Sequence, residues 1–579
     1  MPASIVRSES PDTADCPAQI HPLLWRIYRR RGVTSPAELE RDLSTLIPSE
    51  RMAGIDAAID VLAEAMHAGS RILIVGDFDA DGATSCALAV LCLRAFGHEQ
   101  VDFLVPNRFE FGYGLTPEIV EHAGSRNPQV LVTVDNGISS IAGVAAARSL
   151  GCRVVVTDHH LAGEHLPEAD ALVNPNLPDN DFPSKALAGV GVIFYVLLGL
   201  RGRLRDEGWF GRRAIAEPNM ADFLDLVALG TVADVVPLDH NNRVLVHQRI
   251  RRIRAGRCRP GITALLTVAG RSPARTQATD IGFTVGPRLN AAGRIDDMSL
   301  GIACLLADDP DEARALATEL DRLNRERRAI EDEMKQQAEA MLAAWLPGAD
   351  GNLPWGLCLY QPEWHQGVIG ILAARIKERH NRPVIAFADA GDGCLKGSAR
   401  SIPTLHIRDV LDEVAVRHPQ LLEKFGGHAM AAGMTIRARD LAAFAQAFDA
   451  VVRCHLQADD LHAVIQSDGS VPPVDLTLET ARALLDGGPW GQGFAEPLFD
   501  DEFDVLSSRV VAERHWKLVL SPAGSDRPVD AIAFNSVADM PRMPARVRAA
   551  YRLDENEWQG RVSLQLRIEH LQEAAVGTE

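Results

Sequence analysis

Four short apolar runs frame the first half of the chain: residues 72–75, 101–105, 130–134 and 154–157, each rich in Val, Ile and Leu. Runs of this length without polar alternation read as strands covered on both faces, the state of a parallel sheet between helices. Residues 84–96 and 141–150, which lie between them, space their apolar positions as helices do. Strand and helix in alternation predict an α/β fold with a doubly wound parallel sheet, expected over residues 66–300. A mainly helical lead-in over 1–65 precedes it, with helical spacing at 36–40 and 54–62. Residues 311–344 predict one long charged helix, read as a solvated connector within 301–346, and Leu346-Pro347-Gly348 ends it. A second α/β pattern follows over 347–460, with a strand at 357–360 and a helix opened by Trp364-His365-Gln366-Gly367. Over 461–575 the runs 503–506, 516–520, 529–534, 546–553 and 562–568 are all strand-like. They predict a small β-barrel of the OB type, a common single-strand binder. Trp516, Lys517, Arg548, Tyr551, Arg552 and Trp558 mix the aromatic and basic groups that base stacking requires, although each aromatic taken singly reads first as barrel filling.

Composition narrows the class. A chain of 579 residues, 46% hydrophobic and 24% charged, is ordinary globular protein divided into several domains, which excludes disordered and fibrous classes. Residues 1–19 contain no apolar leader core, and the longest nearly unbroken apolar run, 189–200, is too short to span a bilayer, so no membrane role is expected. Nine scattered cysteines with no Cys-x-x-Cys pair argue against a zinc ribbon or a disulfide framework and for the reducing cytoplasm. The formal charge of −19 has the wrong sign for attracting a polyanion. Its distribution is uneven, because residues 241–279 contain no Asp or Glu and nine Arg. That segment reads equally as a phosphate-contacting surface or as a solvated helix face.

The chemistry sits where strands end. Residues 72–75 run into Asp77-x-Asp79-x-Asp81-Gly82, residues 130–134 into Asp135-Asn136-Gly137, and residues 154–157 into Asp158-His159-His160. A fourth acid, Asp234, is enclosed by apolar neighbours in the run from Gly230 to Pro237. Singly, each is a turn or a helix cap. At three successive strand ends they instead resemble a ligand site, since carboxylates crowded together repel unless a cation holds them. Carboxylates with imidazoles and no thiolate select Mn2+ or Mg2+. So many ligands suit two ions, which about 3.5–4 Å apart stabilise the attacking and leaving oxygens in hydrolysis of a phosphate ester or anhydride. Further on, Arg288, Asn290 and Arg294 lie among glycines, as do Ser398 with Arg400, and Gly426, Gly427 and His428. Such glycine-rich segments with cationic groups, read as small loops, suit phosphate contacts.

The four motifs, in order and at compatible strand ends, resemble the DHH phosphoesterase superfamily. The glycine-rich segments of the second α/β pattern resemble the DHHA1 domain that accompanies many DHH enzymes, in which the Gly-Gly-His loop faces the metal site. The order DHH, DHHA1 and OB-like barrel resembles the bacterial single-stranded-DNA-specific exonucleases of that superfamily, over roughly residues 65–570. This resemblance implies 5′-to-3′ hydrolysis of single-stranded DNA to mononucleotides in recombination and in mismatch or base-excision repair, with a single-strand-binding protein and a recombination helicase as partners. It also implies roles. Asp79, Asp81, Asp135, His159 and Asp234 hold two ions, with Asp135 bridging and Asp77 an additional ligand. Asp158 orients an imidazole, and His160 contacts the scissile phosphate. Arg288, Asn290, Arg294, Ser398, Arg400, Gly426, Gly427 and His428 bind phosphate. The alternatives are a DHH hydrolase of small nucleotides or short oligonucleotides, a haloacid-dehalogenase-like phosphatase using Asp79 and Asp81, and a non-catalytic replication adaptor. The terminal barrel disfavours the first, the Asp158-His159-His160 motif the second, and the intact carboxylates the third.

Overall fold

The computed structural model describes residues 4–8, 15–107, 114–345, 353–525 and 527–574; the break expected at 346–348 and the outer bound at 575 lie outside the described residues. The chain begins with β1 (Ser4–Arg7) and the lead-in helices Pro22–Arg30 and Ile55–Ala68. The parallel sheet comes next: β2 (Ile72–Gly76), β3 (Val101–Leu104), β4 (Val130–Val134), β5 (Arg153–Thr157) and β6 (Ala171–Val173), in the order β3-β2-β4-β5-β6. Every residue of β2 and β4 is buried, as their unbroken apolar runs require. β6 was not anticipated from the sequence, because a three-residue strand is too short to show a period. Register then does the work for the site. Gly76 pairs with Val134 and Val134 with Thr157, so the residues that follow these strands emerge side by side on one edge.

The helix Ala80–Ala95 starts four residues earlier than its apolar spacing indicates, because the Asp79 side chain accepts hydrogen bonds from the backbone of Asp81 (2.9 Å) and Gly82 (3.0 Å) and caps it. The helices Gly189–Asp206 and Leu224–Ala233 pack against it.

The arginine-rich segment forms the helix His240–Arg254 and continues through the helix Pro260–Val268, and most of its charge is satisfied internally. Arg249 is buried against Asp225 at 2.6 Å, Arg259 pairs with Asp308 at 2.8 Å and Arg271 with Asp280 at 3.3 Å. Arg252 pairs with Asp222, and Arg275 with Glu557 of the barrel. Arg243 lies 4.2 Å over the Phe494 ring.

The long helix spans Pro310–Trp345 and is a packed spine, not the solvated connector expected. Ala313, Ala317, Leu320 and Leu323 join the core of the first domain, while Met334, Ala338 and Leu342 join that of the second. Its apolar stripe at spacings of three and four carries both contacts, and the density of charge on the other positions hid it.

The second domain is a mixed sheet of β7 (Leu357–Tyr360), β8 (Val384–Asp389), β9 (Cys394–Arg400), β10 (Lys424–Gly427) and β11 (Ala431–Arg437), in the order β10-β11-β9-β8-β7. The segments read as glycine-rich loops are therefore strands, with His428 on the turn between β10 and β11. Glycine serves packing here, since a Cβ on Gly397 would lie 2.5 Å from the Phe387 ring.

β12 (Val464–Ser467) returns to pair with β1, and β13 (Phe499–Val511), β14 (His515–Pro522), β15 (Val529–Ala533), β16 (Arg546–Trp558) and β17 (Arg561–Glu573) close into a barrel. Trp516 and Tyr551 fill it, the Tyr551 hydroxyl donating to Asp501 at 2.7 Å, whereas Trp558 is 71% exposed. Lys517, Arg548 and Arg552 pair with Asp530, Asp500 and Glu496. Among the described residues, no helix is long and apolar enough to cross a membrane.

Candidate active site

The aligned ends of β2, β4 and β5 deliver Asp77, Asp135 and Asp158, all buried. Asp135 takes a left-handed backbone (φ 61°), a conformation uncommon outside glycine, and its N–H donates to the Thr157 carbonyl at 3.1 Å. Asp81, in the first turn of the helix Ala80–Ala95, accepts hydrogen bonds from the backbone of Gly189 (2.6 Å) and Val190 (2.9 Å), the start of the helix Gly189–Asp206. That helix end approaches so closely that a Cβ on Gly189 would lie 2.5 Å from the Asp135 Cβ; one on Gly230 would lie 2.7 Å from Asp81 Oδ1. Gly189 does not stand out in the sequence, because the constraint comes from a partner more than 50 residues away and carries no local pattern.

His159 enters the same space. Its Nε2 lies 3.1 Å from Asp135 Oδ1 and 3.6 Å from Asp234 Oδ2. Both Nε2 of His159 and Oδ1 of Asp135 are buried without a hydrogen-bond partner. Two buried polar atoms so close and yet unsatisfied leave room for a third species, such as an ion, to join them. Around them, donor atoms gather within 4.8 Å of one another in three overlapping groups: Asp135, His159 and His160; Asp81, His159 and Asp234; Asp77, Asp79 and Asp135. Burial, and then the charge of Asp79, pushes the Asp81 carboxyl up to about 7. Burial, and then the charge of Asp81, pushes Asp135 and Asp234 well above the usual carboxylate range. Burial, with the neighbouring His160, drives His159 down to about 4, which favours a neutral imidazole able to ligate. The donor set is all carboxylate and imidazole, with no thiolate, and it suits Mn2+ or Mg2+.

Asp158 acts one step back. It accepts from the backbone of His159 (2.7 Å), His160 (3.1 Å) and Ile138 (2.9 Å), and from His160 Nδ1 at 2.8 Å. Burial works most strongly against its charge, but the hydrogen bond and charge of His160, together with the backbone donors of Ile138 and His160, hold its carboxyl below the usual range. Burial likewise disfavours charge on His160, but Asp158, with the charges of Asp77 and Asp79, raises that imidazole. The imidazole oriented by Asp158 is therefore that of His160.

The helix Gly286–Ile295 braces this nest. Asn290 Oδ1 accepts from the Ala80 N–H at 2.8 Å, and a Cβ on Gly293 would meet the Phe78 carbonyl at 1.8 Å. Arg294 Nη1 donates to the Gly367 carbonyl at 3.2 Å, which ties the second domain to the first. Arg288 is buried: its Nε donates to Asp321 at 3.0 Å and its Nη1 to the Thr284 carbonyl at 2.7 Å, so its guanidinium braces the long helix.

A cavity of about 460 Å3 opens between the domains, lined among others by Phe78, Arg294, Ser398, Arg400 and Gly426. Arg400 Nη1 donates to Ser398 Oγ (3.1 Å) and to the Ala399 carbonyl (2.8 Å). Gly370, in the first turn of the helix Ile369–His380, lies beside it; a Cβ there would be 2.9 Å from Arg400 Nη2. Gly427 has a positive φ of 148° and leads into exposed His428. The His428 imidazole is lowered, first by partial desolvation and then by the charge of His160.

Comparison with known proteins agrees with this geometry. The sequence profile of the DHH family N-terminal domain matches residues 71–231, that of the DHHA1 domain residues 355–453, and that of the RecJ OB domain residues 467–570. The single-stranded-DNA-specific exonuclease RecJ of Escherichia coli is 55% identical over 568 residues, covering 98% of both chains. Its counterpart in Bacillus subtilis is 31% identical, covering 95% of this chain and 68% of that one. A crystal structure of RecJ in complex with Mn2+ from Thermus thermophilus superposes with a TM-score of 0.80 at 31% identity, covering 99% of this chain and 80% of the other. A complex with Mg2+ from the same organism gives 0.76 at 28% identity, covering 99% and 79%.

Proposed function

The chain belongs to the RecJ family of single-stranded-DNA-specific exonucleases, and from that premise we propose that it degrades single-stranded DNA from 5′ to 3′, releasing mononucleotides, in DNA recombination and repair. The observation that carries the chemistry is the buried, unpartnered pair of Asp135 Oδ1 and His159 Nε2, 3.1 Å apart among four further carboxylates. A crowded nest of carboxylates and imidazole of this kind is built for divalent metal, as the Mn2+ and Mg2+ complexes of the Thermus thermophilus RecJ illustrate.

In this reading Asp79, Asp81, Asp135, His159 and Asp234 hold two ions, Asp135 bridges them, and Asp77 completes the set. Bound there, the pair of ions would supply a water of lowered pKa and stabilise the charge on the attacking and leaving oxygens as the phosphorus–oxygen bond of the diester breaks. The chain's own groups do the rest. Asp158 fixes His160 through Nδ1, leaving Nε2 as the nitrogen directed to the scissile phosphate. Ser398 and Arg400, beside Gly370 at the start of the helix Ile369–His380, bind a phosphate, and the backbone of Gly426 and Gly427 with His428 closes on it from the second domain. Asn290 and Arg294 hold the two halves of the site in register. Arg288 ties the helix Gly286–Ile295 to the long helix through Asp321. The cytoplasm, a single-strand-binding protein and a recombination helicase complete the proposal; the nine free thiols accord with a reducing compartment.

Digestion of long single-stranded DNA labelled at one end or the other, with Mn2+ and with duplex and dinucleotide controls, tests it. Release of 5′ label first, as mononucleotide, is expected. Activity confined to dinucleotides would reject it in favour of a small-nucleotide hydrolase.

A further inference from the structure

Arg294 lines a second cavity as well, of about 470 Å3, where the helix Gly286–Ile295, the long helix and the helix Ile369–His380 converge. The two cavities share Arg294 in their walls, and apart from Arg294 and Asn290 the lining of this groove has none of the roles assigned above. Five cationic side chains and only two carboxylates line it. Arg327 and Arg375 both engage Glu331, at 2.6 and 3.0 Å. Arg328 and Lys335 have no carboxylate partner among the described residues, against the single remaining acid, Asp332. An excess of unpaired cations facing a groove favours an anionic occupant.

Phe283 adds a different chemistry. It is 78% exposed, while its neighbours Ile281, Thr284 and Val285 are buried. It projects from a single π-helical turn, Ile281–Val285, inserted directly before the helix Gly286–Ile295. Such turns are rare and cluster at functional sites, and this one puts an aromatic ring on the rim of the groove. An exposed aromatic ring next to unpaired cations is how sequence-tolerant binders hold single strands, the base on the ring and the phosphates on the cations.

We infer that this groove holds a nucleotide of the single strand next to the one being cleaved, with its base stacked on Phe283 and its phosphate held by Arg328 and Lys335. The inference rests on the exonuclease reading for its occupant. Groove contacts then add affinity for long strands without touching the reacting phosphate, and a substrate too short to reach it gains nothing from them.

The test compares wild type, Phe283→Ala, Phe283→Trp and the double variant Arg328→Ala with Lys335→Ala. Affinity for a long single strand is measured by fluorescence anisotropy with Ca2+ in place of Mn2+, and turnover is measured separately on a dinucleotide. Phe283→Ala is expected to weaken long-strand binding about 5- to 100-fold, with Phe283→Trp restoring it. The double variant is expected to reduce the salt dependence of binding by a slope of about 1.4. Dinucleotide turnover stays at the wild-type rate in all three. Wild-type affinity in both Phe283→Ala and the double variant overturns the inference, and so does an equal loss on dinucleotide and long strand. Failure of the exonuclease reading is seen separately, as wild-type protein that does not cleave long strands; the binding arm then still judges the groove.

Discussion

Like charge is concentrated twice in this chain, as carboxylates at the ends of β2, β4 and β5 and as arginines between residues 243 and 275, and the fold treats the two in opposite ways. Most of the arginines meet a carboxylate of the protein: Arg249 meets buried Asp225, Arg259 Asp308, Arg271 Asp280 and Arg275 Glu557. The carboxylates are not matched in this way. Asp81, Asp135 and Asp234 crowd one buried space in which the only imidazole within ion-pair distance, among the described residues, is a His159 driven toward neutrality. A charge cluster that the protein neutralises itself is structural, and one left unbalanced in a buried site points to something from outside.

The largest effect that would sharpen this contrast comes from removing a carboxylate of the unbalanced cluster. Asp135→Ala should lower Mn2+-dependent hydrolysis by about a thousandfold or more, since several kcal/mol of transition-state stabilisation depend on the ions, while single-strand binding is largely retained. Near-normal turnover by that variant would remove Asp135 from the bridging position. The balanced cluster should respond in stability instead. Asp225→Ala leaves Arg249 buried and unpaired and should cost about 3–5 kcal/mol, read as a lower urea midpoint. A fully stable variant would mean that water or another acceptor reaches Arg249. The smallest effect belongs to the exposed members Arg251 and Arg257, which form no ion pair among the described residues. Replacing both with Ala should leave the unfolding midpoint and single-strand affinity unchanged; a fall in affinity with a shallower salt dependence would make that face a phosphate contact after all.

Much of this was legible from residue order because the responsible forces are local. Unbroken β-branched runs marked β2 and β4, and Asp77, Asp79, Asp81, Asp135 and Asp158 announced themselves by following such runs directly. Other features were not legible. The apolar stripe of the helix Pro310–Trp345 was masked by charged neighbours, β9 and β10 read as loops because of their glycines, and the arginine segment looked the same whether its partners lay in the protein or in a ligand.

By itself the sequence determined the parallel sheet, the barrel and the ligand types that could meet at the strand ends, since burial period and side-chain chemistry are properties of neighbouring residues. Only the tertiary structure decided that Gly189 and Val190 donate to Asp81, that Asp158 orients His160 and not His159, and that Arg288 turns to Asp321. It alone also decided that Phe283 stands exposed on the rim of a cationic groove. Most of these join segments far apart in the chain, and a hydrogen-bonding or charged side chain carries no mark of its partner until packing brings the two within a few ångströms.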